Sequence, residues 1–447
     1  MTTQIYYPQD YRINYLTLIG NNRNLDMTNL VVEFSYFEDL FAFSVTGYVI
    51  LRDSAGYTEL KQMVGDEYLE IDFGKTSSDD NNSNIVGKYR IYKIDTIKPV
   101  GNITSEIYKL YFCSEELVLS EQNKICKSFK GKKISDMVKF ILTDRSTSGK
   151  LQIQSSKVTI EDTTGLYDFV IPIMKPFEAI SWLSTYARPS AFPESADMLF
   201  YQNRDGFFFK SLQSMYGTKV FAKYNYIPKN LPDTTIKEKI FSILDYEIVK
   251  PYDVISNINT GVYANKVITV DTLTRRYYTK NMNNAISQRK KLNVSDVLSP
   301  MSNRLGISQD QSYDACLKMY VTNSNQVDFE YFKQRQGSIE KDIFAEKYVT
   351  NRTIDISSLD HTRIKFVVPG NPTLKVGTVV ELNIPKLNPT DKTNNALYSG
   401  KYLITAIRHL IESPTVYKCI VEASKDSYDT RLATINTGDP SIARNLS

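Results

Sequence analysis

Two stretches of this chain carry the same alternation of apolar and polar positions. From Gly400 to Ser424 (GKYLITAIRHLIESPTVYKCIVEAS), Tyr402, Ile404 and Ala406 share one face. Glu412-Ser413-Pro414 supplies turn chemistry, and Tyr417, Cys419 and Val421 alternate along a return strand. The pattern predicts a β-hairpin. From Gly87 to Ser114 (GKYRIYKIDTIKPVGNITSEIYKLYFCS) the chain repeats the GKY-x-I opening, a turn-rich interruption around Pro99 to Asn102, and a Tyr-Lys pair. That pair is Tyr108-Lys109 in the earlier stretch and Tyr417-Lys418 in the later one.

The similarity extends upstream. VGDEYLEIDF begins at Val64 and VGTVVELNIP at Val376, each a Gly turn leading into an alternating strand. The spacing from that Gly to the GKY Gly is 22 residues in the first copy and 23 in the second. Two linked motifs at matched spacing predict two homologous β modules within one chain.

Taken in order, residues 1–117 form the first β module. Leu30, Val32 and Phe34 alternate, a turn is expected at Glu38-Asp39, and Phe43-Val45 leads into TGYVILRDSAGYTEL. Gly47 permits a kink or a close approach within that strand, and Asp53-Ser54-Ala55-Gly56 is turn chemistry. The polar stretch Lys75 to Asn84 reads as a solvated loop. Short antiparallel strands at this spacing predict a small closed barrel or sandwich, because closure removes exposed edges.

The period changes over 118–245. Ile134, Met137, Val138, Ile141 and Leu142 fall at helical spacing, and a second helix is expected from Pro176, with Phe177, Ile180, Leu183 and Ala187 on one stripe. MLFYQNRDGFFFKSL reads as a hairpin turning at Asn203-Arg204-Asp205-Gly206. This is an α+β middle domain. Residues 246–279 return to strands, TGVYANKVITVD echoing TGYVILRD, and with 350–427 they make the second β module. Residues 280–349 interrupt it: a polar run from Lys280 to Gly306, then a helix with Val327, Tyr331, Ile339, Ile343 and Phe344 at apolar positions. Residues 428–447 form a polar C-terminal tail, free or strapped onto a neighbour.

Length and charge narrow the field. The 447 residues allow two to four domains. The 54 basic and 50 acidic residues leave a net charge of +4, too balanced for a dedicated nucleic-acid binder. Arg289-Lys290-Lys291 is read as a solvated cluster. Four scattered cysteines (Cys113, Cys126, Cys316, Cys419) have no metal-type spacing and are expected as reduced core residues. Thr2, Thr3, Gln4 and Asp10 interrupt any leader-like run, and no run has membrane-span length, so a soluble product made in the cytoplasm with no membrane anchor is expected.

Catalytic signatures are missing. His361 and His409 lie at strands without partner motifs, and no GxSxG, Walker, GxGxxG or HExxH pattern occurs. The carboxylate neighbours Asp66-Glu67, Asp79-Asp80 and Glu115-Glu116 would point to opposite faces of a strand. No catalytic, cofactor or metal residue is assigned. A glycosidase built from two distant carboxylates leaves no local signature and stays open as an alternative.

With both modules in view, Thr46–Phe73 followed by GKYRIYKI resembles the opening domain of the central baseplate hub of contractile-tailed phages, T-even type. Val368–Pro385 followed by SGKYLITAIRH is similar to that family's second such domain, and IPIMKPFEAISWLSTYARPS with MLFYQNRDGFFFKSL resembles its middle domain. The resemblance implies a mainly β fold with an α+β middle domain, two homologous small antiparallel β-barrels per chain, and a ring-forming homotrimer. It further implies a structural protein of the virion that adapts a sixfold tail tube to a threefold spike. Its expected partners are the trimeric spike, tail-tube or tube-initiator proteins, and baseplate wedge and tape-measure proteins, with DNA passing through the channel without specific binding. The alternatives are a β-rich tail-associated cell-wall hydrolase, a receptor-binding module, and the hub half of a secretion-system spike.

Overall fold

The computed structural model describes residues 11–20, 24–54, 65–74, 84–100, 105–144, 151–226, 240–251, 253–272, 275–283, 289–293, 295–296, 315–322, 345–386, 394–412 and 416–429. The expected helix over Val327 to Phe344, the loop from Lys75 to Ser83 and all of the tail beyond Asp429 lie outside these residues.

The first module contributes seven strands: β1 (Arg12–Ile19), β2 (Asn24–Asp26), β3 (Val31–Asp39), β4 (Thr46–Asp53), β5 (Tyr68–Gly74), β6 (Ile85–Val100) and β7 (Ser105–Ser114). Their hydrogen-bonded order is β3-β4-β7-β6-β5-β1-β2. Alternation in sequence becomes alternation in burial: Val49 and Leu51 on β4 and Leu69, Ile71 and Phe73 on β5 are buried. β3 runs through Glu38 and Asp39, so the turn expected there follows one residue later, at Leu40.

The middle domain holds α1 (Glu115–Gln122), β8 (Ile125–Lys132), α2 (Ile134–Thr143), β9 (Val158–Ile160), β10 (Tyr167–Met174), α3 (Pro176–Ser184), β11 (Met198–Asn203), β12 (Gly206–Ser211) and α4 (Leu212–Tyr216). α2 and α3 bury Met137, Val138, Ile141, Phe177, Ile180 and Leu183 in a core of their own, with Phe200, Phe207 and Phe209 from the β11–β12 hairpin. Pro176 occupies the first turn of α3, where its missing N–H leaves no bond unmade.

Next come β13 (Lys223–Tyr226), β14 (Ser242–Ile243), β15 (Asp245–Lys250), α5 (Val254–Thr260), β16 (Ala264–Asp271), β17 (Arg276–Asn283), β18 (Ser295–Asp296) and β19 (Leu317–Thr322). The chain then enters α6 (Ala345–Leu359), β20 (Thr362–Pro369), β21 (Val379–Asn383), β22 (Gly400–Glu412), β23 (Val416–Lys425) and β24 (Ser427–Tyr428). β16 pairs with β17 on one side and β19 on the other in a separate sheet. The strand that stands where TGYVILRD stands is therefore β20 (TRIKFVVP), not the sequence echo in β16.

The two stretches share a strand-pairing register over part of their length. On β5 and β6, Glu70 lies opposite Lys88 and Ile71 opposite Gly87; on β21 and β22, Glu381 lies opposite Lys401 and Leu382 opposite Gly400. Five residues past each GKY Gly the ladder skips one residue, between Ile91 and Lys93 in one copy and between Ile404 and Ala406 in the other. Across four strands the row Phe34–Val49–Leu110–Ile94 answers Tyr246–Phe366–Val421–Ile407. The Tyr-Lys pairs do not correspond. Tyr108 stands in register with Cys419, because the two hairpins turn at different lengths.

The two closed barrels are not found: among the described residues no sheet closes on itself. Both modules instead belong to one open 14-stranded sheet whose path runs β14-β13-β21-β22-β3-β4-β7-β6-β5-β1-β2. One edge of β22 has two partners, β21 over Gly400–Leu403 and β3 over Ala406–Glu412. In the second module that edge is shared with the first, whereas the equivalent part of β6 in the first module has no strand partner on that side among the described residues, and neither module closes. β14 has only two residues and β1 ends on the three-residue β2, so neither end of the path carries a ladder long enough to close. A single hydrophobic core runs through both modules, from Leu16 and Phe34 to Val421 and Ala423.

Gly47 is the close approach that the sequence suggested. A Cβ there would lie 2.2 Å from Phe112 Cζ and 2.5 Å from the Ser35 carbonyl oxygen. Gly47→Ala is expected to lower stability by about 1–3 kcal/mol, the usual cost of overpacking, read as a lower unfolding midpoint in a denaturant titration.

Candidate assembly interface

The seam between the modules is built around a carboxylate. Glu38 lies near the end of β3 with its side chain almost wholly enclosed (1% exposed). Oε1 accepts the backbone N–H of Arg204 at 2.6 Å, and Oε2 accepts that of Val376 at 3.0 Å. These two donors come from the β11–β12 turn of the middle domain and from the segment entering β21, so one side chain joins three units. Burial pushes its carboxyl up to about 7, against the lowering effect of the two amides. The same turn carries the Arg204 guanidinium, which donates to the carbonyls of Pro372 and, at 3.0 Å, Asn84. Beside it, Asp205 accepts the Lys375 ammonium.

On one side of the β3–β22 ladder, Arg408 reaches Glu33 at 2.9 Å, the Tyr48 hydroxyl at 2.7 Å and Ser35 Oγ at 3.1 Å. This network is partly exposed and borders a groove of about 390 Å³ between Phe37, Thr46, Lys365 and Glu422. On the buried side, His409 packs edge-on to Tyr36 and Phe73 and bonds the Tyr417 hydroxyl through Nδ1 at 3.0 Å. Burial, helped by the Arg204 charge, lowers its pKa to about 3. His361 is lowered to about 4 by burial and by Lys250 and Lys425. Both histidines are neutral at pH 7 and enclosed.

A second buried cluster ties α6 to the middle domain. Arg352 donates to the carbonyls of Ser184, Ala196 and Met198 at 2.7–3.3 Å, and Asp355 accepts Ser195 Oγ at 3.0 Å. Asp197 accepts the Gln213 N–H at 2.8 Å. Burial raises the pKa of both carboxyls, and their mutual repulsion raises that of Asp355 further. Asp355 borders a cavity of about 560 Å³, whereas Asp197 is fully enclosed.

Arg289, read from sequence as part of a solvated cluster, is buried and paired with Asp426 at 3.6 Å. Cys126 is exposed where a core residue was expected; Cys113, Cys316 and Cys419 are buried. Among the described residues no group of three or more His, Cys, Asp or Glu is placed to hold a metal ion. The sequence did not single out Glu38, Arg204 or Arg408, because each looks like an ordinary turn or strand residue until strands 375 positions apart are brought together.

Glu38 gives a signed pH dependence. A carboxyl whose pKa is raised on folding stabilises the protein most below its unfolded value and loses that contribution as pH rises through about 7. The stability advantage of wild type over Glu38→Gln is expected to shrink by about 2–3 kcal/mol between pH 5 and pH 8, measured by paired denaturant titrations.

No family model matches the sequence. The chain is 23% identical over 433 residues to the probable baseplate hub protein gp334 of Vibrio phage KVP40, a match covering 94% of this chain and 95% of the relative. Its fold is shared with the 43 kDa tail protein of prophage MuSo2 from Shewanella oneidensis (TM-score 0.53, 10% identity, 93% of this chain and 99% of that one). It is shared also with the tail protein from Neisseria meningitidis MC58 (TM-score 0.52, 8% identity, 93% and 97%). The chain is thus similar along nearly its whole length to a probable phage baseplate hub protein and shares its fold with phage tail proteins.

Proposed function

We propose that the chain is the hub of a contractile-tail baseplate, three copies forming a ring. The observation that supports this most directly is the in-register repeat of one β module within a single chain. Three chains then present six alike modules. Such a ring can meet a sixfold tail tube on one face and a threefold spike on the other. The partners are accordingly a trimeric spike and tube or tube-initiator proteins, with wedge and tape-measure proteins at the periphery. The ring encloses the channel through which DNA leaves, and a net charge of +4 over 447 residues suits passage without retention, since a strongly basic lumen would hold phosphates through counterion release. The role asks for no catalysis, in keeping with the enclosed, neutral histidines.

Mass measurement in solution combined with projection images tests this reading. A mass of three chains and a threefold ring with six densities are expected. A stable monomer, alone and with its spike protein, overturns it.

A further inference from the structure

Inside the chain the modules join head to tail. The first offers the outer edge of β3, the second the far part of β22, and the two pair from Ala406 opposite Asp39 to Glu412 opposite Glu33. When alike units meet through unlike surfaces, each keeps the complementary surface for another neighbour. Here those remaining surfaces can be named. β15 occupies in the second module the place of β3, with Lys250 standing where Phe37 stands and Asp245 where Glu33 stands. β6 beyond Arg90 occupies the place of the far part of β22, with Lys93, Ile94 and Asp95 standing where Ala406, Ile407 and Arg408 stand.

Both surfaces are open in the way this requires. β20 is the strand partner of β15 among the described residues, and β5 pairs with β6 only over Ile85–Arg90. The bulge residue offers a like-for-like comparison. In the second module it is Thr405, 5% exposed, its carbonyl accepting the Leu40 N–H at 2.8 Å from across the seam. In the first module it is Tyr92, an aromatic ring left 54% exposed. Val249 and Leu244 on and beside β15 are similarly exposed, at 46% and 43%.

We propose that β15 of one copy pairs antiparallel with β6 of the next copy in the register of the β3–β22 seam, setting Lys250 opposite Asp95 and covering Tyr92. The occupant of each edge is a second copy of this chain. The facing charges are opposite, and a cross-strand pair of that kind is favourable. The proposal rests on the ring reading above and specifies its contact.

Cysteines placed directly opposite across two strands lie within disulfide reach. In a Cys126→Ser background, Asp95→Cys combined with Lys250→Cys is expected to give covalent dimers and trimers on mild oxidation, and neither single variant to do so. Amide hydrogen exchange on the unaltered chain should slow in β15 and in β6 after Arg90 when monomer is concentrated into trimer. Trimers without either signal overturn this pairing and leave the ring reading standing; a chain that stays monomeric both alone and with its spike protein overturns both.

Discussion

Everything in this molecule depends on a buried carboxylate that answers two backbone amides from elsewhere in the chain. Glu38 belongs to the first β module, its donors to the middle-domain turn and to the approach to β21. Removing it would leave two enclosed N–H groups without an acceptor, a penalty of about 1–3 kcal/mol for each. Burying it is also unfavourable, as its raised pKa shows. What the interaction supplies is position. It sets the β11–β12 turn against the point where β22 passes from β21 to β3, and Arg204 and Asp205 then fasten Pro372, Asn84 and Lys375 around that point.

The second fastening is of the same kind. Arg352 and Asp355 on α6 engage carbonyls and a hydroxyl of the middle domain. Arg289 and Asp426 pair out of solvent close to β18 and β24. Buried charge is poor evidence of stability, but it penalises any arrangement in which its partners are absent. The assembly proposed above, which needs alike modules held at fixed angles, would have a use for that penalty.

Much of the architecture was legible in the sequence because it is local. Alternation placed β5, β6, β21 and β22; helical spacing placed α2; the proline placed the start of α3. The GKY repeat revealed the duplication because Gly87 and Gly400 sit at the same ladder position. The seam was missed for a physical reason: edge pairing between strands hundreds of residues apart leaves no periodic trace, so nothing near Gly400 shows that β22 divides between β21 and β3. The echo in β16 misled because short Thr-Gly openings to apolar strands recur by composition. Glu38, Arg204 and Arg408 were invisible as a group because their meaning arises only at the seam. Arg289 looked solvated because its counter-ion lies 137 residues away.

The β3–β22 seam is covalently tethered, and that bears on how an assembly of alike modules comes together. A contact between tethered partners forms at an effective concentration set by the intervening chain and avoids most of the translational and rotational entropy that separate molecules lose. In the proposed ring of six modules made from three chains, every second contact would be of this kind. Only the alternate contacts depend on protein concentration. Closing such a circle would then be a three-body problem, with the geometry of half its joints rehearsed during folding of the monomer.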